Sequence, residues 1–356
     1  MSAGERPGPL AGKRVVVTGG TGSLGYTLVR RLLEGDAGDP EHVVVFSRDE
    51  AKQHEMRLKF EHLAAATDDV MYRGAQERLR FRIGDIGNFR SVAGVLSQAD
   101  VVFNAAALKQ VPTCEFAPLE AVHTNIGGPG NIVQCIRDMR LDVETVVCIS
   151  TDKACKPVNV MGMTKAIQER VFIEGNLECM NTRFVGVRYG NVLASRGSVI
   201  PLFHHQIMTG GPVTITTPEM TRFLLSLDEA VDIIFAAVRG ARPGEIYVPR
   251  APSARMTDIA TVLIGERPIA MKVIGVRPGE KTDEILVSEE ESPRTFERGG
   301  YLAIAPVLPQ LRREPEGRPF AERELSSADQ LLDLVGVGDL ITRHRLHIDD
   351  APEFHR

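Results

Sequence analysis

The chain has 356 residues, of which 43% are hydrophobic and 25% are charged, a composition typical of a globular protein that can bury a core. Its 42 Lys and Arg residues against 47 Asp and Glu residues leave a formal net charge of −5 without any basic block, which argues against a nucleic-acid binder. No apolar run approaches the ~20 residues of a membrane-spanning helix. At roughly 150 residues per domain, the length suggests about two domains or one large α/β unit.

The N-terminus and the cysteines indicate the class of protein. Residues 1–11 lack the apolar core of a secretion signal, so we expect a disordered arm and a cytoplasmic protein. The five cysteines are odd in number and form no CxxC pair, which disfavours a disulfide framework and a metal site. Cys148 lies in an apolar run and is predicted to be a core residue, and nothing beside Cys155 marks an activated thiolate.

The first half of the chain alternates short apolar runs with helix-length segments. Runs rich in Val and Ile predict strands of a parallel sheet that is covered on both faces. Helices are predicted at Leu24–Glu34 and Leu119–Arg140. This alternation indicates an α/β fold with a doubly wound parallel sheet. The predicted strands are Arg14–Thr18, His42–Phe46, Leu79–Ile83, Val101–Asn104, Thr145–Ser150, Arg183–Val187 and Glu245–Val248.

After about residue 190, turn-rich segments separate short strands, which indicates a smaller lobe interleaved with the first domain. A helix is predicted at Asp228–Arg239, and another in the tail at Ala328–Val335. We expect four parts: an arm over 1–11, a first domain over 12–194 to which 228–249 returns, a substrate-binding lobe over 195–227 and 250–305, and a C-terminal extension over 306–356.

A glycine-rich loop joins the first predicted strand to the first predicted helix. Gly19, Gly22 and Gly25 have the GxxGxxG spacing, which permits a tight turn, backbone approach to a pyrophosphate and close helix–strand packing. The phosphates would lie at the N-terminus of the helix, where free N–H groups favour anions. A plain glycine-rich turn is the competing interpretation. The predicted cofactor-binding residues of the loop are Gly19, Thr21, Gly22, Ser23, Leu24 and Gly25.

The residues after the second strand indicate which dinucleotide binds. An acidic side chain there would bind the ribose 2′-hydroxyl and select NAD. Ser47, Arg48 and Lys52 instead offer a hydroxyl and two cations, which suit a 2′-phosphate and favour NADP over NAD. A solvated basic turn is the alternative, because acidic residues lie next to them. Asp85, after the third strand, is placed to hydrogen-bond the adenine amino group, unless it is a plain loop aspartate.

The fifth strand leads into Thr151-Asp152-Lys153, at the sheet edge where α/β enzymes place their chemistry. A carboxyl and an amine there could serve as an acid and a base with separately tuned pKa values. Lys165 follows 12 residues after Lys153, and Met161 shares its helical face. Solvated surface lysines are the competing interpretation.

Together these motifs resemble the extended short-chain dehydrogenase/reductases and, more narrowly, the UDP-N-acetylglucosamine 4,6-dehydratases of bacterial polysaccharide and amino-sugar biosynthesis. The resemblance covers about residues 12–305. The matching stretches are Ser47–Gln53, Asn104–Pro112, Thr124-Asn125, Ser150–Lys165, Arg188–Pro201, Met220–Phe223, Gly244–Pro249, Arg255–Asp258 and Arg277–Lys281.

The resemblance implies an extended Rossmann fold and a lyase that acts on UDP-N-acetylglucosamine or a close UDP-sugar as a homo-oligomer. Bound NADP would oxidise sugar C4, a base would remove the C5 proton while the 6-hydroxyl leaves as water, and the hydride would return to C6. Asp152 is then the implied general acid at O6 and Lys153 the base at C5. Thr151 is implied to bind the 4-hydroxyl, and Lys165 the nicotinamide ribose.

The resemblance also implies further binding residues, and we expect no metal. The further cofactor contacts are Ile86, Ala105, Ala106, Lys109, Lys165 and Tyr189. The substrate contacts are Lys109, Asn191, Ser195, Arg196, Val199, Arg255, Met256, Arg277 and Glu280.

Two residues depart from the usual family pattern. Met161 stands where most relatives have Tyr, and a thioether cannot remove the 4-hydroxyl proton, which leaves Thr151, Lys165 or an ordered water as the C4 base. One branch of the dehydratases also carries Met there and is expected to retain the C5 configuration. Gln110 follows Lys109 where the family usually has His. A UDP-sugar 4-epimerase and a catalytically silent NADP-binding protein are the alternatives.

Overall fold

The computed structural model of the protein describes residues 8–67, 77–193 and 198–350. Its strands are β1 (Arg14–Thr18), β2 (His42–Ser47), β3 (Leu79–Ile83), β4 (Val101–Asn104), β5 (Thr145–Ile149), β6 (Arg183–Val187), β7 (Asn191–Val192), β8 (Val213–Ile215), β9 (Thr221–Leu225), β10 (Ile246–Pro249), β11 (Ser253–Arg255), β12 (Met271–Val273), β13 (Ile285–Val287), β14 (Thr295–Arg298), β15 (Tyr301–Ile304), β16 (Arg318–Pro319) and β17 (Leu325–Ser326).

The α-helices, numbered over the described ranges, are α1 (Ser23–Leu33), α2 (Glu50–Thr67), α3 (Phe89–Leu96), α4 (Val111–Phe116), α5 (Pro118–Val122), α6 (Gly128–Met139), α7 (Val160–Glu178), α8 (Val199–Met208), α9 (Leu227–Gly240), α10 (Met256–Ile264) and α11 (Leu334–Arg343). A π-helix spans His123–Gly127, and 3-10 turns span Asp152–Ala154, Ser292–Arg294, Pro309–Leu311 and Ile348–Asp350.

A ten-stranded sheet forms the first domain, in the order β16-β14-β15-β10-β6-β5-β4-β1-β2-β3. The strands from β10 to β3 in that order are parallel, and β15, β14 and β16 extend the sheet antiparallel to one another. The strand order reverses between β1 and β4, the type of position at which open α/β sheets bind ligands. The α/β fold with a doubly wound, mostly parallel sheet is therefore confirmed.

Helices cover both faces of this sheet. Successive residues of a strand point to opposite faces, so each strand contributes apolar side chains to a core on either side. Val15 and Val17 pack with α1 and α9, whereas Val16 packs with α3, α6 and α7. Cys148 belongs to the second of these cores, as predicted. All five cysteines are buried and free.

The second lobe has its own core, built from α8, α10, β8 and α11. Strands β7, β9 and β11 form a small sheet, β8 pairs with β12, and β13 pairs with β17. Helix α11 comes from the C-terminal extension, and its residues Val337, Leu340 and Ile341 are buried in this core. Helix α11 of the extension is therefore an integral part of the second lobe, whereas β16 of the same extension belongs to the large sheet. Among the helices described, none is both long and apolar enough to span a bilayer.

Two predicted segments of the C-terminal half are corrected by the structure. The helix predicted at Ala328–Val335 is wrong. Residues 328–333 form a turn, an isolated bridge from Leu331 to Ser253 and irregular chain, and α11 begins only at Leu334, where the Asp333 carboxylate accepts a hydrogen bond from the backbone N–H of Gly336. Strands β14 and β15, expected in the substrate-binding lobe, instead extend the large sheet through pairing with β10.

Three differences concern the first domain. The predicted helix Leu119–Arg140 is divided into α5, a π-helix and α6. The last parallel strand starts at Ile246 and ends at Pro249, one residue later than predicted. Residues 1–7 of the expected arm lie outside the described ranges. Leu10 was placed in that arm as well, but it is fully buried and donates its backbone N–H to the Ala37 carbonyl at 3.0 Å, so this part of the prediction is wrong.

Candidate active site

A cleft of about 2890 Å³ lies between the carboxyl ends of the parallel strands and the second lobe. Loops after β1 to β6 line one side, and residues of α8, β8 and the 274–284 segment line the other. Pockets for a single drug-sized ligand measure roughly 300–1,000 Å³. The cleft therefore has room for a dinucleotide together with a second ligand.

The glycine loop forms one end of the cleft. Gly19 has φ of 67°, and a Cβ there would lie 2.7 Å from Ala106 Cα, so a larger residue would strain the turn. A Cβ on Gly25 would lie 2.6 Å from the Gly19 carbonyl oxygen. Gly22 caps α1 without any side chain, which leaves the helix N-terminus open toward the cleft. This cradle fits a pyrophosphate.

The turn after β2 carries the residues that were predicted to choose the dinucleotide. Arg48 is half exposed and lies 3.4 Å from Asp85 Oδ2. The Lys52 ammonium forms a closer ion pair, 2.8 Å from Asp49 Oδ2. The Ser47 hydroxyl accepts a hydrogen bond from the Gln53 amide at 3.0 Å. Arg48 is therefore the cation of this turn that is held more loosely by the protein itself.

A cluster of titratable groups lies where β5 ends. The Lys153 ammonium lies 3.1 Å from Asp152 Oδ1, 3.2 Å from Glu284 Oε1 and 3.2 Å from Asn191 Oδ1. The Thr151 hydroxyl donates to Asp152 Oδ1 at 2.9 Å. Asp152 is fully buried and Glu284 is 2% exposed. Within the described ranges, Asp152 Oδ2 and Glu284 Oε2 have no hydrogen-bond partner.

The protonation of this cluster follows from its charges. Burial lowers the pKa of Lys153, but the charges of Asp152 and Glu284 outweigh burial and raise that pKa above its ordinary value. Burial, followed by the charge of Asp152, raises the pKa of Glu284. Burial also raises the pKa of Tyr189, which lines the cleft beside them. Lys153 is thus an ammonium at neutral pH and must lose a proton before it can act as a base.

Lys165 and Met161 both lie on α7 and line the cleft. The Lys165 ammonium donates to the Ile149 carbonyl at 2.5 Å and to the Gln168 side-chain oxygen at 2.8 Å. Burial lowers the pKa of Lys165. Met161 is 5% exposed and packs in an apolar cluster with Cys114. Helix α7 therefore offers the cleft one buried amine and one apolar side chain.

The structure brings most of the predicted site residues to the cleft. The predicted cofactor-binding residues that line it are Gly19, Thr21, Gly22, Ser23, Leu24, Gly25, Ser47, Arg48, Lys52, Asp85, Ile86, Ala105, Ala106, Lys109, Lys165 and Tyr189. The predicted substrate-binding residues that line it are Lys109, Asn191, Val199, Met256, Arg277 and Glu280.

Two of the predicted residues that the structure describes do not line the cleft. Asp152 is fully buried and contacts Thr151 and Lys153, which do line it. Arg255 is exposed at the junction of β11 and α10 and is not part of the cleft wall. Ser195 and Arg196 lie outside the described ranges.

Two buried groups near the cluster were not predicted. Glu284 precedes β13, and only tertiary folding brings it to Lys153; its one sequence signal is a position shortly after the matching stretch that ends at Lys281. Arg188 pairs with Glu169 at 2.7 Å and with Glu291 at 2.8 Å.

The buried pairs of Arg188 hold the end of β5 in place. Glu169 Oε1 accepts a hydrogen bond of 2.6 Å from the hydroxyl of Ser150, the residue before Thr151. The position of the turn that carries Asp152 and Lys153 is thereby tied to a buried ionic network.

Residues 15–306 match the family of polysaccharide biosynthesis proteins. The chain belongs to that family. Over 297 residues, or 82% of each chain, it is 41% identical to a protein of Rickettsia typhi and 42% identical to one of Rickettsia canadensis, both named UDP-glucose 4-epimerase.

Two solved structures of the family fold are similar as well. The X-ray structure of Pen from Bacillus thuringiensis superposes with a TM-score of 0.84 at 32% identity, covering 95% of this chain and 99% of that one. The dTDP-glucose 4,6-dehydratase DesIV from Streptomyces venezuelae, solved with NAD and TYD bound, has a TM-score of 0.62 at 23% identity, over 76% of this chain and 86% of that one. The second likeness concerns the fold alone.

Proposed function

We propose that this polysaccharide biosynthesis protein is an NADP-dependent 4,6-dehydratase of a UDP-amino sugar, with UDP-N-acetylglucosamine as the substrate. The observation that carries the proposal is the contact of the Lys153 ammonium with two buried carboxylates, Asp152 and Glu284, at the end of β5. Family membership and relatives named for a UDP-sugar support a nucleotide sugar as the second ligand of the cleft.

The glycine loop would hold the dinucleotide pyrophosphate, and Ser47 with Arg48 would bind its 2′-phosphate. The open face of Gly22 and the close contact at Gly19 support this fit. The chemistry that such a group supplies when bound is reversible hydride transfer, from sugar C4 and later to C6.

The first proton belongs to the 4-hydroxyl, and Thr151 is our choice for its acceptor. The Thr151 hydroxyl already donates to Asp152 Oδ1, so it can take the O4 proton while its own proton passes to Asp152. The protonated Asp152 then donates at O6, and the 6-hydroxyl leaves as water. Met161 carries no proton in this scheme, which agrees with its apolar surroundings.

The second proton belongs to C5, and Lys153 handles it. Neutral Lys153 removes the proton once the C4 ketone has made it acidic, and the same group returns a proton to C5 after C6 has been reduced. We expect retention of configuration at C5 because a single group would act on one face of the sugar in both steps.

A UDP-sugar 4-epimerase is the second candidate, because relatives of 41–42% identity carry that name. An epimerase needs the oxidation and reduction of C4 but no acid at O6 and no base at C5. The two candidates therefore make opposite predictions for proton donation at O6 and for Lys153 as a base at C5.

The decisive experiment is a proton NMR time course with UDP-N-acetylglucosamine, the protein and catalytic NADP in D₂O. A new C6 methyl signal with deuterium at C5 is expected, and the ring couplings will give the C5 configuration. The galacto epimer without a methyl signal would establish the epimerase instead. Cofactor binding without any turnover of nucleotide sugars would point to a catalytically silent protein.

Asp152→Asn tests the assigned acid. The variant should form no methyl product, and C4 oxidation, seen as absorbance of the reduced nicotinamide in a single turnover, should slow as well, because an amide cannot take the proton that Thr151 passes on. Asp138→Asn is the matched control, because Asp138 is an exposed partner of Arg137 and does not line the cleft. An Asp152→Asn variant that makes the methyl product at the wild-type rate would contradict the assigned acid.

A further inference from the structure

Glu284 is a buried carboxylate whose position is fixed by its backbone. Its N–H donates to the Ser327 hydroxyl at 2.9 Å, and its carbonyl accepts from the Ser327 N–H at 2.8 Å. The side chain is 2% exposed and lines the cleft. Oε1 lies 3.2 Å from the Lys153 ammonium, and Oε2 has no hydrogen-bond partner within the described ranges. A carboxyl group with one free buried oxygen is equipped to hold a proton.

Four charged groups face Glu284. Asp152 and Lys153 come from the turn after β5. Arg222 on β9 lies 3.8 Å from Oε1, and Lys281 lies 3.8 Å from Oε2. Both of these cations donate their short hydrogen bonds to backbone carbonyls and not to Glu284. Arg222 donates to the Thr221 carbonyl at 2.6 Å, and Lys281 donates to the Cys155 carbonyl at 2.6 Å. Glu284 thus faces one carboxylate, which disfavours its ionised form, and three cations, which favour it.

The proposed reaction creates a need for such a group. In the free protein Lys153 is an ammonium and cannot remove a proton from C5. Asp152 is not available to take the proton from Lys153, because Asp152 receives the O4 proton through Thr151 and delivers that proton to O6. A second acceptor in contact with Lys153 is required, and Glu284 is the other carboxylate within 4 Å of that amine in the described part of the chain.

We propose that Glu284 is the proton store of the site: it takes a proton from Lys153 before C5 is deprotonated and returns it after C5 has been reprotonated. This inference rests on the proposed dehydratase function and deepens it. Glu284 is a positioning residue in the sense that it acts on the sugar only through Lys153.

The proton balance closes over one turnover. The Lys153 ammonium and the Glu284 carboxylate become an amine and a carboxylic acid. The amine takes the C5 proton and becomes an ammonium, and after hydride reaches C6 it gives a proton back to C5. The carboxylic acid of Glu284 then returns its proton to the amine. No oxidant, reductant or further reactant is needed.

Glu284→Gln tests the proposal, since the amide keeps the shape of the side chain but cannot store the proton. The kcat for formation of the C6 methyl product should fall by about 10²-fold or more, the range of a lost acid–base group. The KM for the sugar and single-turnover C4 oxidation should stay close to wild type. The acid limb of the kcat–pH profile, which reflects protonation of the ionised Glu284 carboxylate, should disappear. Glu284→Asp should restore part of the rate and the limb.

Two further variants complete the test. Glu289→Gln is the matched control, because Glu289 is exposed and paired with Arg323; its rate and pH profile should equal those of the wild type. Lys281→Met removes a positive charge beside Glu284 and should move the acid limb to higher pH. This shift still tests the proposal if Glu284→Gln does not fold.

The outcomes separate the two claims. Wild-type protein that forms no methyl product contradicts the proposed function itself. Wild-type protein that forms it, with a Glu284→Gln variant of unchanged rate and acid limb, overturns the proton store and leaves the dehydratase intact. An unmoved acid limb in Lys281→Met would overturn it as well.

Discussion

Replacement of Arg188 by leucine should destabilise the fold strongly. The Arg188 side chain is 2% exposed and binds two carboxylates, Glu169 and Glu291, which are 3% and 8% exposed. Breaking a buried ion pair by removing one partner costs about 3–5 kcal/mol, because the remaining charges stay buried without a counterion. A second figure agrees. Although burial raises the pKa of Glu291, Arg188 holds it down at about 2, against an ordinary 4.5. That difference is worth roughly 3 kcal/mol.

The loss should depend on pH in a defined direction. Because the pKa of Glu291 is depressed in the folded protein, its contribution is complete above the unfolded value of 4.5 and is lost as pH falls toward 2. In Arg188→Leu the Glu291 carboxylate, which has lost this cation, takes up a proton at higher pH than in the wild type, and protonation relieves the unpaired charge. The difference in the free energy of unfolding should therefore be largest near pH 7 and smaller at pH 5.

Urea unfolding followed by circular dichroism at pH 7 and pH 5 measures both effects. Arg250→Leu is the matched control, because Arg250 also lies between two carboxylates, Glu297 and Glu322, but is 37% exposed; its loss should stay below about 1 kcal/mol. A loss below about 1 kcal/mol for Arg188→Leu at pH 7, or an equal loss at both pH values, would refute the reasoning.

Three further predictions concern the cleft and the core. Gly19→Ala should weaken dinucleotide binding in calorimetry and cost about 1–2 kcal/mol of stability, since φ is 67° at that residue. Gly130→Ala is the control, because a Cβ there would have no neighbouring atom within 4 Å, and it should neither weaken binding nor lower stability. Equal effects of the two substitutions would contradict the argument from close contact. Arg48→Ala should lower the affinity for NADP about tenfold while the affinity for NAD changes little. Lys52→Ala should have the smaller effect, because the Lys52 ammonium is already paired with Asp49. An unchanged NADP affinity in Arg48→Ala would show that Arg48 does not bind the 2′-phosphate. All five thiols should resist a disulfide reagent at pH 8 until urea is added, because they are buried and burial raises the pKa of Cys148 to about 12; a fast-reacting thiol in the folded protein would contradict their burial.

The strands of the first domain could be predicted because local and tertiary demands agree there. Strands β4 and β5 are buried along their whole length, and a strand covered on both faces is a nearly continuous apolar run. The glycine loop could be predicted for a related reason: at Gly19 the backbone geometry itself excludes other residues. In both cases the structural constraint, burial on both faces or a positive φ, determines the residue types in a short stretch of sequence.

The remaining features depend on contacts between distant parts of the chain. Glu284 lies 131 positions from Lys153, and nothing in its neighbours distinguishes it from a surface glutamate. The helix predicted at Ala328–Val335 was wrong because Leu331 bridges to Ser253, 78 positions earlier, and the Asp333 cap starts α11 only at Leu334. Strands β14 and β15 extend the large sheet only because the β10 edge accepts them.

The number of protons that each reaction moves is an argument for the dehydratase over the epimerase. An epimerase removes one proton from O4 and restores it, so a single acceptor is sufficient. A dehydratase carries the O4 proton to O6 and also takes a proton from C5 and returns one. Lys153 contacts two carboxylates that are almost completely buried, Asp152 and Glu284. Burying two carboxylates around one amine is unfavourable unless the site needs them, since each charge must be desolvated. A site of this composition suits a reaction that moves two protons by separate routes, with Thr151 and Asp152 on one and Lys153 and Glu284 on the other.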